Sequence, residues 1–436
     1  MVSFIPNISA LWSLLRNNSL IQNSFYLILS SGLTSALGLI FWIFAARFFT
    51  SNDVGIGSAS ISIMMFLSIL SLFGLNFSVI RFLPKTEEKE RMINTFLTLI
   101  IFSSIIFTIL GIVAIINWVP DFDFLEENPA YIILFVCFTI IWSIKSIYAS
   151  TFISARLSRF VLWQEVIFGI LKIVFLPILI IWGGFGIFGA WGIGAAISIL
   201  CSFFLLNKVI SDYKPRIRLD IPTIRRSIRF SFWNNAATIL GSTPKMLLPT
   251  IIVILVSPET AAYFYMAWTI TGVLNTTSLQ ISNSLFAEGI HENEKIRKNI
   301  IHAIYLTNAI IIPAVLILLI FSEFILGLFG ENYSSNSIPL LRLLALACIP
   351  HAMNLMYFSI QRIKGEMKIV TFCYALLATS MIGPSIPLLI GMGIEGVGIA
   401  WLASNLLVLG TILFLNRHTI CPFVCQMIKW YPVRLR

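Results

Sequence analysis

Five charged residues stand inside long apolar stretches of this sequence. They are Lys145, Glu165, Lys172, Lys245 and Arg342. A charged side chain costs roughly 2.5–3.5 kcal/mol at the centre of a membrane helix, so it normally faces a protein interior or a hydrated cavity. One carboxylate cannot neutralise four cations. The sequence therefore predicts a hydrated, positively charged cavity, which attracts anionic ligands and repels cationic ones.

Lys145 has aromatic residues on both sides at helical spacing. Trp142 precedes it by three residues and Tyr148 follows it by three, so the three side chains lie near one face of a helix. This group suits a sugar phosphate, because aromatic rings stack on sugars and an ammonium pairs with phosphate. The alternative is a cation–π contact within the protein.

Lys172 and Glu165 are seven residues apart, which places them on the same face of a helix. Two roles fit this spacing. Either the two residues form a structural pair linked through water, or they act on the substrate and a coupling ion. In the second case Glu165 is the candidate for ion coupling.

Lys245 follows Pro244 directly, and a second proline, Pro249, comes four residues later. Proline lacks a backbone N–H and kinks or breaks a helix, and broken helices at mid-membrane mark the binding sites of transporters. We therefore expect helix breaks at both prolines and a cavity-lining role for Lys245. Arg342 lies about five residues from the predicted outer end of its helix, so it either lines the cavity or extends to the membrane interface.

The elements around these residues are those of a polytopic membrane protein. Of 436 residues, 58% are hydrophobic and 11% charged, and the mean hydropathy is +0.93. Soluble domains carry about 25% charged residues. Since roughly 20 apolar residues span a membrane, we predict twelve helices. They cover residues 21–46, 54–82, 93–117, 130–155, 161–182, 187–209, 228–256, 260–287, 299–321, 338–361, 367–390 and 396–415.

The basic residues indicate the orientation of these helices. Of the 29 Lys and Arg residues, 24 fall in loops on one side, Arg47 falls on the other side, and four lie within helices. Cytoplasmic loops are enriched in Lys and Arg, so both termini are predicted to be cytoplasmic, in a multi-pass protein of the cytoplasmic membrane. Topology and anionic lipid headgroups account for the net charge of +10, so nucleic acid is not an expected partner.

The two halves of the chain resemble each other when the second is shifted back by about 206 residues. The matching pairs are Asp53 with Glu259, Arg156 with Arg362, Lys145 with His351 and, after one further residue of shift, Gly186 with Gly393. His351 thereby becomes another basic candidate for the cavity. We predict an all-α membrane protein of two six-helix parallel pseudo-repeats around a central cavity. The lobes are residues 1–209 and 228–416, joined by a cytoplasmic hinge loop, 210–227, and followed by a basic tail, 417–436.

Signals for an enzyme are weak. The chain has no phosphate-binding P-loop and no H-E-x-x-H zinc motif, so we expect no cofactor and no metal ion. The motif Asp121-Phe122-Asp123 resembles the DxD of metal-dependent glycosyltransferases, but it lies in a short loop on the predicted outer side, with no nucleotide-binding domain nearby. No catalytic residue is predicted.

Several segments resemble a known family. They are Ser30–Leu33, Ala45–Gly55, Leu72–Asn76, Ile80–Pro84 and Gly391–Gly398. Their order and spacing are similar to those of polysaccharide-exporter flippases, in the multidrug/oligosaccharidyl-lipid/polysaccharide exporter superfamily. The resemblance implies a flippase that moves a lipid-diphosphate-linked oligosaccharide from the inner to the outer leaflet by alternating access, through a cavity lined by basic residues.

The partners implied by this resemblance are a polyprenyl-diphosphate-linked oligosaccharide, membrane lipids and polysaccharide-assembly enzymes. The drug-exporting branch of the superfamily has carboxylates in its first or seventh helix, whereas the seventh helix here carries Lys245. Two alternatives stay open. One is another exporter of the superfamily with an anionic or amphipathic substrate, and the other is a membrane glycosyltransferase or polysaccharide polymerase.

Overall fold

A computed structural model of the chain describes residues 19–118, 122, 128–211, 213–291 and 296–415. Every regular element in these ranges is a helix, which confirms the predicted all-α class. The predicted tail, 417–436, lies outside the described residues, as do Asp121 and Asp123.

The helices are numbered here in chain order. The first seven are α1 (Ser19–Phe48), α2 (Ser51–Leu72), α3 (Leu75–Phe82), α4 (Lys89–Trp118), α5 (Pro129–Ser154), α6 (Ser158–Phe175) and α7 (Gly183–Leu206). The next seven are α8 (Ile221–Leu255), α9 (Pro258–His291), α10 (Ile296–Ile320), α11 (Ser322–Gly327), α12 (Glu331–Ile363), α13 (Met367–Met392) and α14 (Ile394–Leu415). Short 3-10 helices, Leu83–Lys85 and Pro177–Trp182, follow α3 and α6.

By length and composition, ten helical stretches in the described part of the chain are suited to cross a membrane. The protein is therefore a multi-pass membrane protein. The long helices outside this set are α6 and α9, which correspond to two of the twelve predicted spans.

Two predicted helices differ in the structure. The single helix predicted over 54–82 is wrong, because Phe73 and Gly74 adopt left-handed backbone, with φ of 46° and 73°, and separate α2 from α3. Left-handed residues end an α-helix. A Cβ on Gly74 would also come within 2.8 Å of the Ser231 side chain on α8. The helix predicted over 161–182 ends earlier, at Phe175, and its last residues form the 3-10 helix.

The described residues form two compact units. The first contains everything up to Ile270, together with Glu323–Ile338. Buried aliphatic and aromatic side chains from α2 to α7 form a continuous cluster in its core. Hydroxyl groups also join its helices, since Ser143 on α5 shares a 2.8 Å hydrogen bond with Ser68 on α2. Small polar contacts of this kind let apolar helices pack closely.

The second unit contains Thr271–Ser322 and the described residues from Pro339 onward. Serine contacts again join its helices. Ser282 on α9 donates to the Leu355 carbonyl of α12 at 2.7 Å, and Ser359 donates to the Ser282 carbonyl at 2.8 Å. The predicted lobe boundaries, 209 and 228, stay a prediction.

One local turn occurs in both units. Gly183 and Gly393 have positive φ, 51° and 67°, directly before or at the start of a helix. Three residues later, a Cβ on Gly186 or Gly396 would strike a leucine carbonyl of the preceding helical segment. The match supports an internal duplication, with Gly183 rather than Gly186 as the counterpart of Gly393.

Candidate functional site

Lys145 and Glu165 form an ion pair between α5 and α6. The Lys145 ammonium donates to Glu165 Oε1, and the lysine is 5% exposed. It also lies 5.0 Å from the Trp142 ring centroid and 4.9 Å from that of Phe168. The cation–π contact between Lys145 and Trp142, weighed from the sequence as the alternative to a ligand contact, is therefore present.

Lys172 lies inside a cage of aromatic rings. Its Nζ is 4.1 Å from the Trp191 ring centroid, 4.7 Å from that of Phe168 and 5.1 Å from that of Phe41. The residue is 1% exposed. Within the described ranges, the ammonium has no hydrogen-bond acceptor and no carboxylate at ion-pair distance.

The structure thus brings both lysines to one aromatic ring, that of Phe168. Glu165 and Lys172 share a face of α6 as the spacing predicts, but the carboxylate pairs with Lys145 on the neighbouring helix. The direct ion pair of Glu165 is therefore interhelical, and the water-linked pair with Lys172, one of the two roles that the spacing allows, stays a prediction. We call Lys145, Glu165, Lys172, Phe41, Phe168 and Trp191 the lysine cluster.

Close helix packing positions the lysine cluster. Gly194 on α7 lies against the backbone of α6, where a Cβ would come within 3.0 Å of the Lys172 backbone nitrogen. Gly169 lies against α1, and a Cβ there would be 3.0 Å from Leu37 Cβ. Small residues let the three backbones approach, so the rings of Phe41 and Trp191, which also contact each other, reach the Lys172 ammonium.

Trp142 and Tyr148 have different surroundings, although both flank Lys145. Trp142 packs against Phe168 and Trp191, with ring centroids 5.4 and 5.9 Å away. Tyr148 is 5% exposed and belongs to the apolar cluster in the core of the first unit. Only Trp142 therefore contacts the lysine cluster.

Lys245 is exposed on α8, ten residues before the end of this helix, which is about 15 Å along its axis. Among the described residues it has no recorded hydrogen-bond or ion-pair partner. The helix continues through Pro244 and Pro249, so neither proline ends it. Each proline still lacks the N–H that would bind the carbonyl four residues earlier, which leaves the Leu240 and Lys245 carbonyls without that donor.

Arg342 and His351 belong to the second unit and have partners there. Arg342 Nε donates to Ser322 Oγ at 3.2 Å. His351 Nδ1 lies 3.0 Å from Asn405 Oδ1, and its ring packs 5.2 Å from that of Trp401. Asn354 donates to the Asn405 carbonyl at 3.0 Å, which completes a polar cluster between α12 and α14.

The motif Ala45–Gly55 has a structural role. Thr50 caps the N-terminus of α2 by accepting from Asp53 N, and the Asp53 carboxylate accepts from Gly184 N at 2.9 Å. Arg47 donates to the Gly327 and Leu328 carbonyls at 2.8 and 2.9 Å. These contacts hold the end of α1 and the start of α2 against α7 and α11, so the motif residues serve packing.

The predicted hinge loop is tied to α4. Asn94 donates to the Lys214 carbonyl at 2.9 Å and accepts from the Tyr213 hydroxyl at 2.7 Å. The backbone N–H of Arg218 donates to Thr98 at 3.1 Å. Burial raises the pKa of the Tyr213 phenol, so it remains a donor. A cavity of about 730 Å³ beside this loop is lined by both basic and acidic side chains.

Sequence reasoning missed the aromatic members of the lysine cluster. Phe168 had a usable signal, because it lies three residues after Glu165 and four before Lys172, on their helix face. Phe41 and Trp191 come from other helices, and nothing in their local sequence sets them apart from the other aromatic residues of the chain.

A protein family matches the N-terminal half of this chain. The family model described as "Polysaccharide biosynthesis protein" matches residues 20–243. This range includes the four N-terminal motifs, so the resemblance to polysaccharide exporters is confirmed. No curated protein matches the chain by sequence.

Solved structures share the fold over most of the chain. The lipid II flippase MurJ, in an inward closed conformation, has a TM-score of 0.76 at 15% identity, over 90% of this chain and 87% of its own. An inward-facing multidrug resistance MATE transporter of the MOP superfamily has a TM-score of 0.67 at 16% identity, over 90% and 95%. A MOP superfamily transporter from Pyrococcus furiosus has 0.62 at 14%, over 94% and 98%. The chain therefore shares the fold of these membrane transporters.

Proposed function

The chain belongs to the polysaccharide biosynthesis protein family, and we propose that it flips a lipid-diphosphate-linked oligosaccharide across the cytoplasmic membrane. The headgroup moves from the inner to the outer leaflet by alternating access through a cationic cavity. Twelve membrane helices in two lobes, with both termini cytoplasmic, are part of this proposal. The carrier is a polyprenyl diphosphate, and the enzymes of polysaccharide assembly are the protein partners.

The charge balance of the first unit is the main support. Glu165 is paired with Lys145, which leaves Lys172 and Lys245 without a carboxylate among the described residues. Uncompensated cations in membrane helices are costly, and a diphosphate at the exposed Lys245 supplies the negative charge that this lysine lacks. A cationic drug supplies none, so the same balance argues against a substrate of that class.

Lys245 is the residue that we assign to first contact with the diphosphate. It is exposed and unpaired among the described residues, whereas Lys145 and Lys172 are enclosed, so direct contacts of these two lysines with the substrate stay predictions. The carbonyls of Leu240 and Lys245, freed by the prolines, offer acceptors to sugar hydroxyls. The lipid tail stays in the bilayer. Direct contacts from Arg342 and His351 stay predictions.

Depletion of the protein in its host, followed by lipid extraction, tests the substrate. We expect polyprenyl-diphosphate-linked glycan to accumulate in the inner leaflet, where an external glycosidase cannot reach it in intact cells. Normal glycolipid levels would reject the flippase. In that case, loss of export of another anionic or amphipathic compound would favour the alternative exporter with the same fold.

Substitution of Lys245 tests the contact. Lys245→Ala should reduce surface polysaccharide and Lys245→Glu should abolish it, because the glutamate repels the diphosphate. Lys364→Ala is a matched control, since Lys364 is an exposed lysine in a loop. Normal surface polysaccharide in Lys245→Glu, at an unchanged protein level, would exclude a direct role.

A further inference from the structure

Two buried donors of the lysine cluster lack acceptors. Lys172 is 1% exposed and Trp191 is 8% exposed. The Trp191 indole Nε1 is buried without a hydrogen-bond partner in the described part of the chain. The Lys172 ammonium has no hydrogen-bond acceptor and no carboxylate at ion-pair distance among the same residues. The ammonium lies 4.1 Å from the centre of the Trp191 ring, so both donors belong to one small region.

The charges of this region are also unbalanced, with an excess of positive charge. The Glu165 carboxylate and the Lys145 ammonium are the charged groups that act on Lys172 through space, and they form a pair with each other. With Lys172 protonated, one positive charge remains. Cation–π contacts with three rings stabilise it in part, but they provide no acceptor for the N–H groups of Lys172 or Trp191.

The occupant that completes this arrangement must accept at least two hydrogen bonds and carry negative charge. Water accepts two hydrogen bonds, but it brings two further donors to a region that already has an excess of donors. A monatomic anion accepts from both donors and adds none. Because the residues are almost fully buried, a diphosphate with an attached oligosaccharide is too large for the region.

We propose that Lys172 and Trp191 hold a small inorganic anion of the chloride class inside the first unit. The anion accepts from Lys172 Nζ and from Trp191 Nε1–H and neutralises the charge that Glu165 leaves uncompensated. It is a resident ion, separate from the transported diphosphate, and its role is to stabilise the packing of α6 against α7. The proposal does not depend on the identity of the transported substrate.

Thermal melting of the purified, detergent-solubilised full chain tests this site. Melting temperatures are measured in sodium chloride and in sodium gluconate at equal ionic strength, because gluconate is too large to enter. A ligand that binds only the folded state stabilises it in a saturable manner. We expect chloride to raise the melting temperature by several degrees, to reach a plateau, and to be replaceable by bromide.

Two variants assign the effect to the two donors. Trp191→Phe keeps a smaller aromatic ring beside Lys172 and lacks the indole N–H, so it should weaken the chloride effect strongly. Lys172→Met removes the charge and should abolish the effect. Lys364→Met is the matched control, because it removes an exposed lysine in a loop outside the cluster, and its chloride effect should equal that of the unmodified protein.

Two outcomes overturn the proposal. One is an equal melting temperature in chloride and gluconate for the unmodified protein, which would mean that the rings alone accommodate Lys172. The other is an unchanged chloride effect in Trp191→Phe, which would place the anion elsewhere. Trp191→Phe keeps the test decisive even where Lys172→Met fails to fold.

Discussion

Glu165 on α6 forms an ion pair with Lys145 on α5, although Lys172 lies only seven residues from Glu165 on the same face of α6. The choice of partner matters because only one carboxylate is available to the two lysines. This carboxylate neutralises Lys145 on α5 and leaves the Lys172 ammonium on α6 among aromatic rings. The uncompensated charge on Lys172, on which the proposed anion site rests, follows from this pairing.

Glu165→Gln should destabilise the protein, because it leaves Lys145 enclosed without a counter-charge. Removing one partner of a buried ion pair costs on the order of 3–5 kcal/mol. The double variant Lys145→Met/Glu165→Gln removes both charges and should recover much of the loss. Thermal melting of the four proteins forms a double-mutant cycle, and simple additivity of the two single changes would contradict the ion pair.

Pro244→Ala and Pro249→Ala should each raise the melting temperature and reduce glycolipid export. Proline inside a helix is about 3 kcal/mol less favourable than alanine, and alanine restores the missing N–H donor. Export should fall because α8 becomes stiffer where the transport cycle requires it to move. Pro258→Ala serves as the control, since Pro258 begins α9, where proline is well tolerated. Unchanged melting and export in both α8 variants would refute this role.

Gly396→Ala should destabilise the second unit by about 1–3 kcal/mol, the usual cost of overpacking. Its Cβ would strike the Leu388 carbonyl. Gly410, on the same helix, has open space at its Cβ position, and Gly410→Ala should stabilise by up to about 1 kcal/mol through helix propensity. In detergent, the melting temperature should fall for Gly396→Ala and rise for Gly410→Ala. Equal shifts of the two melting temperatures would count against the close contact at Gly396.

Gln164→Leu should stabilise the first unit. Gln164 is 1% exposed, and neither atom of its side-chain amide has a partner within the described ranges. An unpaired buried polar group costs about 1–3 kcal/mol, which leucine avoids at similar size. Asn94→Leu is the opposing control, because Asn94 binds Lys214 and Tyr213. A lower melting temperature for Gln164→Leu would show that this amide has a partner or a function.

The sequence by itself determined the class of the protein and the kinds of residue at the site. Apolar runs predict membrane helices because the bilayer requires about 20 apolar residues for each crossing, and charges within those runs are few enough to be recognised one by one. The motifs Ser30–Leu33 to Ile80–Pro84 likewise indicated the family. These features depend on composition and on spacing along a single helix.

Only the tertiary structure decided which of these residues meet. The sequence placed Glu165 and Lys172 on one face of α6, but the choice of Lys145 as partner depends on how closely α5 and α6 approach. Phe41 and Trp191 join Lys172 because α1 and α7 pack on either side of α6, where Gly169 and Gly194 leave room. Contacts between helices depend on packing, which the periodicity of one helix does not encode.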